Sequence, residues 1–169
     1  MEVTVEEAVV GARKRLVLGA GKTVDLTVPA SVADGAILRL KGQGEPGAAG
    51  SGDLLVEVAI ASHPIFSRRD NDLIMDLSVS VPDAVLGGRL SAPTPEGEVA
   101  LRIPSDSNSG AVLRLKGRGL AGPDGRRGDL LARLVVTLPG TTDPELKRFC
   151  EDWRRDRPYH APEPSRLPP

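Results

Sequence analysis

The sequence predicts a mainly β protein: two tandem, internally repeated β-sandwich-like domains with short helices, followed by a C-terminal helix. Three observations carry this. The octet Ile37-Leu38-Arg39-Leu40-Lys41-Gly42-Gln43-Gly44 returns 75 positions later as Val112-Leu113-Arg114-Leu115-Lys116-Gly117-Arg118-Gly119. The blocks around it return in the same order. Val28-Pro29 becomes Ile103-Pro104, Gly52-Asp53-Leu54-Leu55 becomes Gly128-Asp129-Leu130-Leu131, and Glu7-Ala8-Val9-Val10-Gly11 becomes Asp83-Ala84-Val85-Leu86-Gly87. A period of that length marks a duplicated domain, since solenoid units run to roughly 20–50 residues. The third observation is the pattern of apolar residues. They alternate with polar ones along most of the chain and take helical spacing only after Pro139-Gly140.

Each element has a local reason. Thr4-Val5-Glu6-Glu7 places a Thr three residues before a Glu, the capping box that opens a helix. Ser80-Val81-Pro82-Asp83 repeats that logic, with proline near the helix start where its missing N–H costs little. Gly11 and Gly87 stop these short helices. Arg13–Leu18 alternates Leu16 and Leu18 against Arg13 and Arg15. Gly19-Ala20-Gly21 then reads as a turn, and Lys22–Val28 returns with Val24, Leu26 and Val28 in step. In the octet Leu38 and Leu40 oppose Ile37, Arg39 and Lys41, and Gly42 and Gly44 end the strand. A phosphate-binding glycine loop would need a helix directly after these glycines, and an apolar strand, Gly52–Ile60, follows instead. The strand Leu73–Val81 opens the second copy, Val99–Ile103 and Leu130–Leu138 continue it, and Asp143-Pro144-Glu145 starts the last helix. The expected organisation is therefore 1–70 and 71–140 as β-domains, 141–157 as a helix and 158–169 as a proline-rich disordered tail.

Composition narrows the function classes. Of 169 residues 40% are hydrophobic and 27% charged, as in ordinary globular proteins, but only 2% are aromatic, so the cores must be aliphatic. A net charge of −1 and an isoelectric point of about 6.1 supply no general attraction to nucleic acid. The single cysteine, Cys150, rules out an internal disulfide and a cysteine-cluster zinc site. No apolar run approaches the ~20 residues of a membrane span, and the start lacks the layout of a signal peptide, so the expected location is cytoplasmic. No paired acid and base or activated nucleophile stands out; an enzyme is not expected, nor a cofactor or metal.

Several stretches together carry a family resemblance: Thr4-Val5-Glu6-Glu7-Ala8 with Gly11, Leu38-Arg39-Leu40-Lys41-Gly42-Gln43-Gly44, Gly52-Asp53-Leu54-Leu55, and the junction His63-Pro64-Ile65-Phe66-Ser67-Arg68 with Asp72-Leu73. With Ala84-Val85-Leu86-Gly87-Gly88 and Gly128-Asp129-Leu130-Leu131, they resemble the C-terminal substrate-binding region of DnaJ-type co-chaperones, over about residues 3–155. Three parts of that family have no counterpart here: the J-domain with its His-Pro-Asp motif, the glycine/phenylalanine-rich linker and the zinc-binding cysteine-rich insertion. The usual Pro-x-Gly-x is also altered, to Pro29-Ala30-Ser31-Val32 and Pro104-Ser105-Asp106-Ser107. The resemblance implies the client-binding half of such a protein.

It also implies partners and residues. Unfolded or extended client polypeptides would add a strand to an edge of the first copy. Leu16 and Leu18 match the pocket floor, Phe66 an aromatic wall, and Lys14 and Lys22 the basic residues that meet the acidic tail of a DnaK-type chaperone. Met1 is all that stands before Glu2 of the apolar strand that would complete the pocket. A homodimer is expected through Leu146, Phe149, Cys150 and Trp153, one apolar stripe at i, i+3, i+4 and i+7. By pattern alone Leu16 and Leu18 read as strand core, Lys14 and Lys22 as solvated charges, Phe66 as a junction plug, and the helical stripe as packing on its own chain. DNA binding is the rival function, through Arg13-Lys14-Arg15 and Arg126-Arg127.

Overall fold

The structure is a computed structural model that describes residues 1–18, 21–47, 50–141 and 143–158. The expected turn over Gly19-Ala20 and the tail from residue 159 lie outside these residues. The described residues up to Val136 form one compact unit and those from Thr137 to Pro158 another.

The first repeat opens with β1 (Glu2–Val3) and α1 (Val5–Val10). The capping box forms as the sequence predicts. Thr4 Oγ1 accepts from the N–H of Glu7 at 3.2 Å, and the Glu7 carboxylate accepts from the N–H of Thr4 at 2.8 Å. Next come β2 (Ala12–Val17), β3 (Thr23–Val28), β4 (Ile37–Leu40), β5 (Pro46–Gly47), β6 (Gly50–Ser51), β7 (Leu54–Glu57) and β8 (Ala59–Ile60). The predicted strand over Gly52–Ile60 breaks at Val58. There the Val58 N–H donates to Ala36 C=O and its own C=O accepts from Gly35, so the chain changes partner from β4 to β1. β1 runs parallel to β8, while β2 with β3, β4 with β7, and β5 with β6 are antiparallel pairs.

The second repeat has β9 (Ser67–Arg69), β10 (Asp72–Ser80), α2 (Val81–Leu86), β11 (Gly88–Thr94), β12 (Gly97–Ile103), β13 (Val112–Leu115) and β14 (Leu130–Thr137). Ser80 caps α2, its Oγ accepting from Asp83 N–H at 3.2 Å and donating to the Asp83 carboxylate at 2.6 Å. One sheet has four strands in the order β13-β14-β10-β9, and β11 and β12 pair as a separate hairpin.

The duplication extends to individual hydrogen bonds. Gly11 and Gly87 end the two helices at φ 87° and 77°, each so close to the next connection that a Cβ would lie 2.9 Å from a backbone nitrogen, of Ala30 or Ser105. Those connections turn at Ser31 and Asp106, both at φ 58°. The repeated Gly-Asp block has a mechanical role. Asp53 accepts from Gly42 N–H at 2.9 Å and pairs with Arg39, and Asp129 does the same with Gly117 and Arg114. These bonds, the backbone one first, hold both carboxyls below the usual carboxylate range. Each aspartate clamps its own glycine hairpin shut.

The core is aliphatic, as the composition requires. Leu73, Met75, Leu77 and Val79 alternate inward along β10, and Val24, Leu26 and Val28 do so along β3. Buried residues of both repeats join in one cluster, with Phe66 its one aromatic among the described residues. The last element, α3 (Pro144–Asp156), begins at Asp143, whose carboxylate accepts from Leu146 N–H at 2.7 Å.

Candidate functional site

β2 has a partner on one side only. Its hairpin with β3 pairs Ala12 with Val28 through Val17 with Thr23, and no strand adjoins its other edge among the described residues. Leu18 N–H donates to Lys22 C=O at 2.7 Å across the hairpin. Hydrogen-bonded pairs alternate along an antiparallel ladder, so the main-chain groups of Lys14 and Leu16 also point toward β3, and those of Arg13, Arg15 and Val17 point away from it. The side chains divide by the same period. Lys14, Leu16 and Leu18 are half-buried on one face, while Arg13, Arg15 and Val17 stand exposed on the other. The sequence alternation therefore produces an open row of backbone donors and acceptors above a partly apolar floor.

The charged groups along this edge are engaged within the chain. Lys14 Nζ lies 2.6 Å from a Glu7 carboxylate oxygen and 3.0 Å from Glu2 C=O, tying β2 to α1 and β1. The hydrogen bond from Lys14, and after it the one from Thr4 N–H, draws the Glu7 carboxyl below its ordinary value. Arg15 pairs with Asp25 across the hairpin at 2.8 Å, which lowers the Asp25 carboxyl in the same way. An open groove of about 550 Å³ lies over this hairpin, lined by Arg13, Lys14, Arg15, Asp25, Leu26 and Thr27.

The other residues named by the sequence lie apart from that groove. Lys22 is exposed at the start of the return strand and donates to Gln43 C=O at 3.3 Å. Phe66 is 4% exposed and stacks on His63 with ring centroids 4.8 Å apart. His63 Nδ1 accepts from the N–H groups of Ile65 and Phe66 at 3.2 Å each, and Nε2 sits 3.0 Å from Glu6. This burial fits the junction-plug alternative rather than an aromatic wall open to a ligand. From the sequence Glu7 reads only as a cap; its second contact joins two elements, and local spacing carries no signal of it.

On α3, Leu146 is half-buried and Phe149, Cys150 and Trp153 are exposed, with Phe149 and Trp153 in edge-to-face contact at 5.4 Å. No residue of α3 is buried. Among the described residues no group of three or more His, Cys, Asp or Glu side chains could hold a metal ion, and no helix is long and apolar enough to cross a membrane.

Comparison with known proteins adds to this geometry. The family model of the DnaJ C terminal domain matches residues 1–139. A curved DNA-binding protein of Pseudomonas putida (strain GB-1) is 44% identical over 130 residues, which are 76% of this chain and 41% of the relative. Chaperone protein DnaJ 2 of Cutibacterium acnes is 38% identical over 146 residues, 85% of this chain and 38% of the relative. A DnaJ-like protein of Synechocystis is 38% identical over 168 residues, covering 96% and 50%. The chain thus spans half or less of the length of these relatives.

Proposed function

Taking as premise that the chain belongs to the DnaJ C-terminal domain family, we propose that it is a co-chaperone module that binds unfolded or extended polypeptide at the open edge of β2. The observation that carries this reading is the unpaired main chain of Arg13, Arg15 and Val17 beside the half-buried Leu16 and Leu18. A client strand paired there gains affinity from backbone hydrogen bonds, which are indifferent to sequence, and from apolar side chains that meet the leucines. Lys14 and Lys22 flank that strand as sites for the acidic tail of a DnaK-type chaperone. α3 pairs two copies through Leu146, Phe149, Cys150 and Trp153, so Trp153→Ala shifts the dimer to monomer in sedimentation.

The test of the central claim is a fluorescent, uncharged, extended apolar peptide titrated by anisotropy beside the same peptide N-methylated at every residue. The parent peptide should bind and the methylated one should not, because methylation removes the donors of both edges. Equal binding of both would sink strand addition. The same chain should also lower light scattering from a thermally denaturing model protein without nucleotide.

DNA binding remains the rival, favoured by the name of the Pseudomonas relatives. The basic residues it would use are largely neutralised internally. Lys14 meets Glu7, Arg15 meets Asp25, Arg126 meets Asp124 and Arg127 meets Glu96. A salt titration separates the readings, since phosphate-driven binding falls steeply with log salt and apolar binding does not.

A further inference from the structure

We infer that Glu7 is a specificity-determining residue of the β2 edge, an internal counter-ion that compensates the Lys14 ammonium under apolar peptides and weakens, without abolishing, the binding of acidic ones. This rests on the reading of β2 as a peptide-binding edge. An ammonium has three N–H donors, and Lys14 uses two of them, on Glu7 and on Glu2 C=O. The third is free for a ligand carboxylate, but that carboxylate must then stand beside the ionised Glu7.

The internal repeat serves as a control on whether this ion pair is needed for folding. At the position of Lys14 the second copy has Leu90, and at that of Glu7 it has Asp83. Ser80 caps α2 and donates to the Asp83 carboxylate, which forms no ion pair among the described residues, and α2 is six residues long like α1 and ends at an equivalent glycine. The helix and hairpin therefore form without a lysine, so the cation at the β2 edge is free to serve a ligand. Its burial makes the counter-ion matter. The side chains of Lys14 and Glu7 are only 26% and 31% exposed, and a strand laid over them would cover more of both. An ammonium buried without a partner is costly, so Glu7 keeps apolar peptides compatible with Lys14. For an acidic peptide the same carboxylate is a like-charge neighbour.

Glu7→Gln removes the charge and keeps an oxygen to accept from Thr4 N–H, so the helix cap survives. Lys14→Leu copies the second repeat. The experiment measures two peptides by anisotropy, one uncharged and apolar, one with two adjacent glutamates, on the wild type, both single variants and the double. Circular dichroism melting confirms that each variant is folded. Glu7→Gln should tighten the acidic peptide about two- to fivefold, the worth of a partly exposed charge contact, and leave the apolar peptide unchanged or weaker. Lys14→Leu alone should weaken the acidic peptide, and in that background, with Glu7 uncompensated, the gain from Glu7→Gln should be at least as large. An acidic peptide indifferent to Glu7→Gln, equal tightening of both peptides, or a gain that vanishes without Lys14 would each overturn the inference while leaving the edge itself standing. A wild type that binds neither peptide removes the underlying reading and this inference with it.

Discussion

Proline at Val17 should weaken peptide binding while sparing the fold. Val17 is 74% exposed, and its N–H points away from β3, as the Leu18-to-Lys22 bond at 2.7 Å requires. An edge strand tolerates proline where the lost donor faced solvent, and the residue before it, Leu16, already has the extended backbone that a following proline favours. The cost to folding should stay within about 1 kcal/mol, mostly lost strand propensity. A bound peptide loses one backbone hydrogen bond and keeps a carbonyl with no donor, together about 1–3 kcal/mol, or roughly five- to 150-fold in affinity. One position earlier the outcome reverses. Leu16→Pro deletes a donor that faces β3 and should destabilise the hairpin by about 2–3 kcal/mol, with the melting temperature falling accordingly. The assays are anisotropy titration of the apolar peptide and thermal melting of each variant. Wild-type affinity in a folded Val17→Pro protein would refute the assignment of the open edge, as would equal destabilisation by the two prolines.

Phe66→Ala should cost about 3–5 kcal/mol in chemical denaturation, because the ring is buried in the common core against His63; a change below about 1 kcal/mol would show that the ring is available to ligands instead. Gly11→Ala should destabilise by about 2–3 kcal/mol, combining the left-handed φ of 87° with a Cβ 2.9 Å from Ala30 N, and normal stability would mean that the connection after β3 yields freely. Acid should weaken the first repeat through Glu7, whose folded carboxyl is drawn below its ordinary value of 4.5. A depressed folded value means that its contribution is complete above the unfolded value and is lost as the pH falls through the folded one. Melting followed from about pH 6 to pH 3 should therefore show a smaller acid-induced loss in Lys14→Leu than in the wild type, and identical losses would deny that Lys14 stabilises the Glu7 carboxylate.

The sequence made the backbone legible wherever the governing contacts were local. Thr4, Ser80 and Asp143 cap helices because each oxygen lies three residues from the N–H it accepts, a spacing visible in one dimension. The alternation along Leu73–Val79 fixes which face of β10 is buried before any partner is known. Contacts between elements were not legible. The break at Val58 depends on Ala36 and Gly35, more than twenty residues away. The clamp of Asp53 on Arg39 and Gly42 explains why the Gly-Asp block accompanies the octet, although the repeat alone showed only that the two travel together. At the candidate site the alternation puts Leu16 and Leu18 on one face, and the structure adds Lys14 to it. The resemblance groups Phe66 with them, and a family pattern by itself does not distinguish a ring that lines a pocket from one that plugs a core. Nothing local signals the Lys14–Glu7 pair, since each residue has a sufficient local role, one as a strand charge and the other as a cap.

The most direct test is residue-resolved amide hydrogen exchange of the full chain with and without saturating apolar peptide. In the free protein Lys14 and Leu16, bonded to β3, should exchange slowly, and Arg13, Arg15 and Val17 should exchange fast. Peptide should slow Arg13, Arg15 and Val17 strongly and change Lys14 and Leu16 little. Saturation with peptide that leaves those three amides fast, or that places new protection only on β14 or α3, would contradict strand addition at β2.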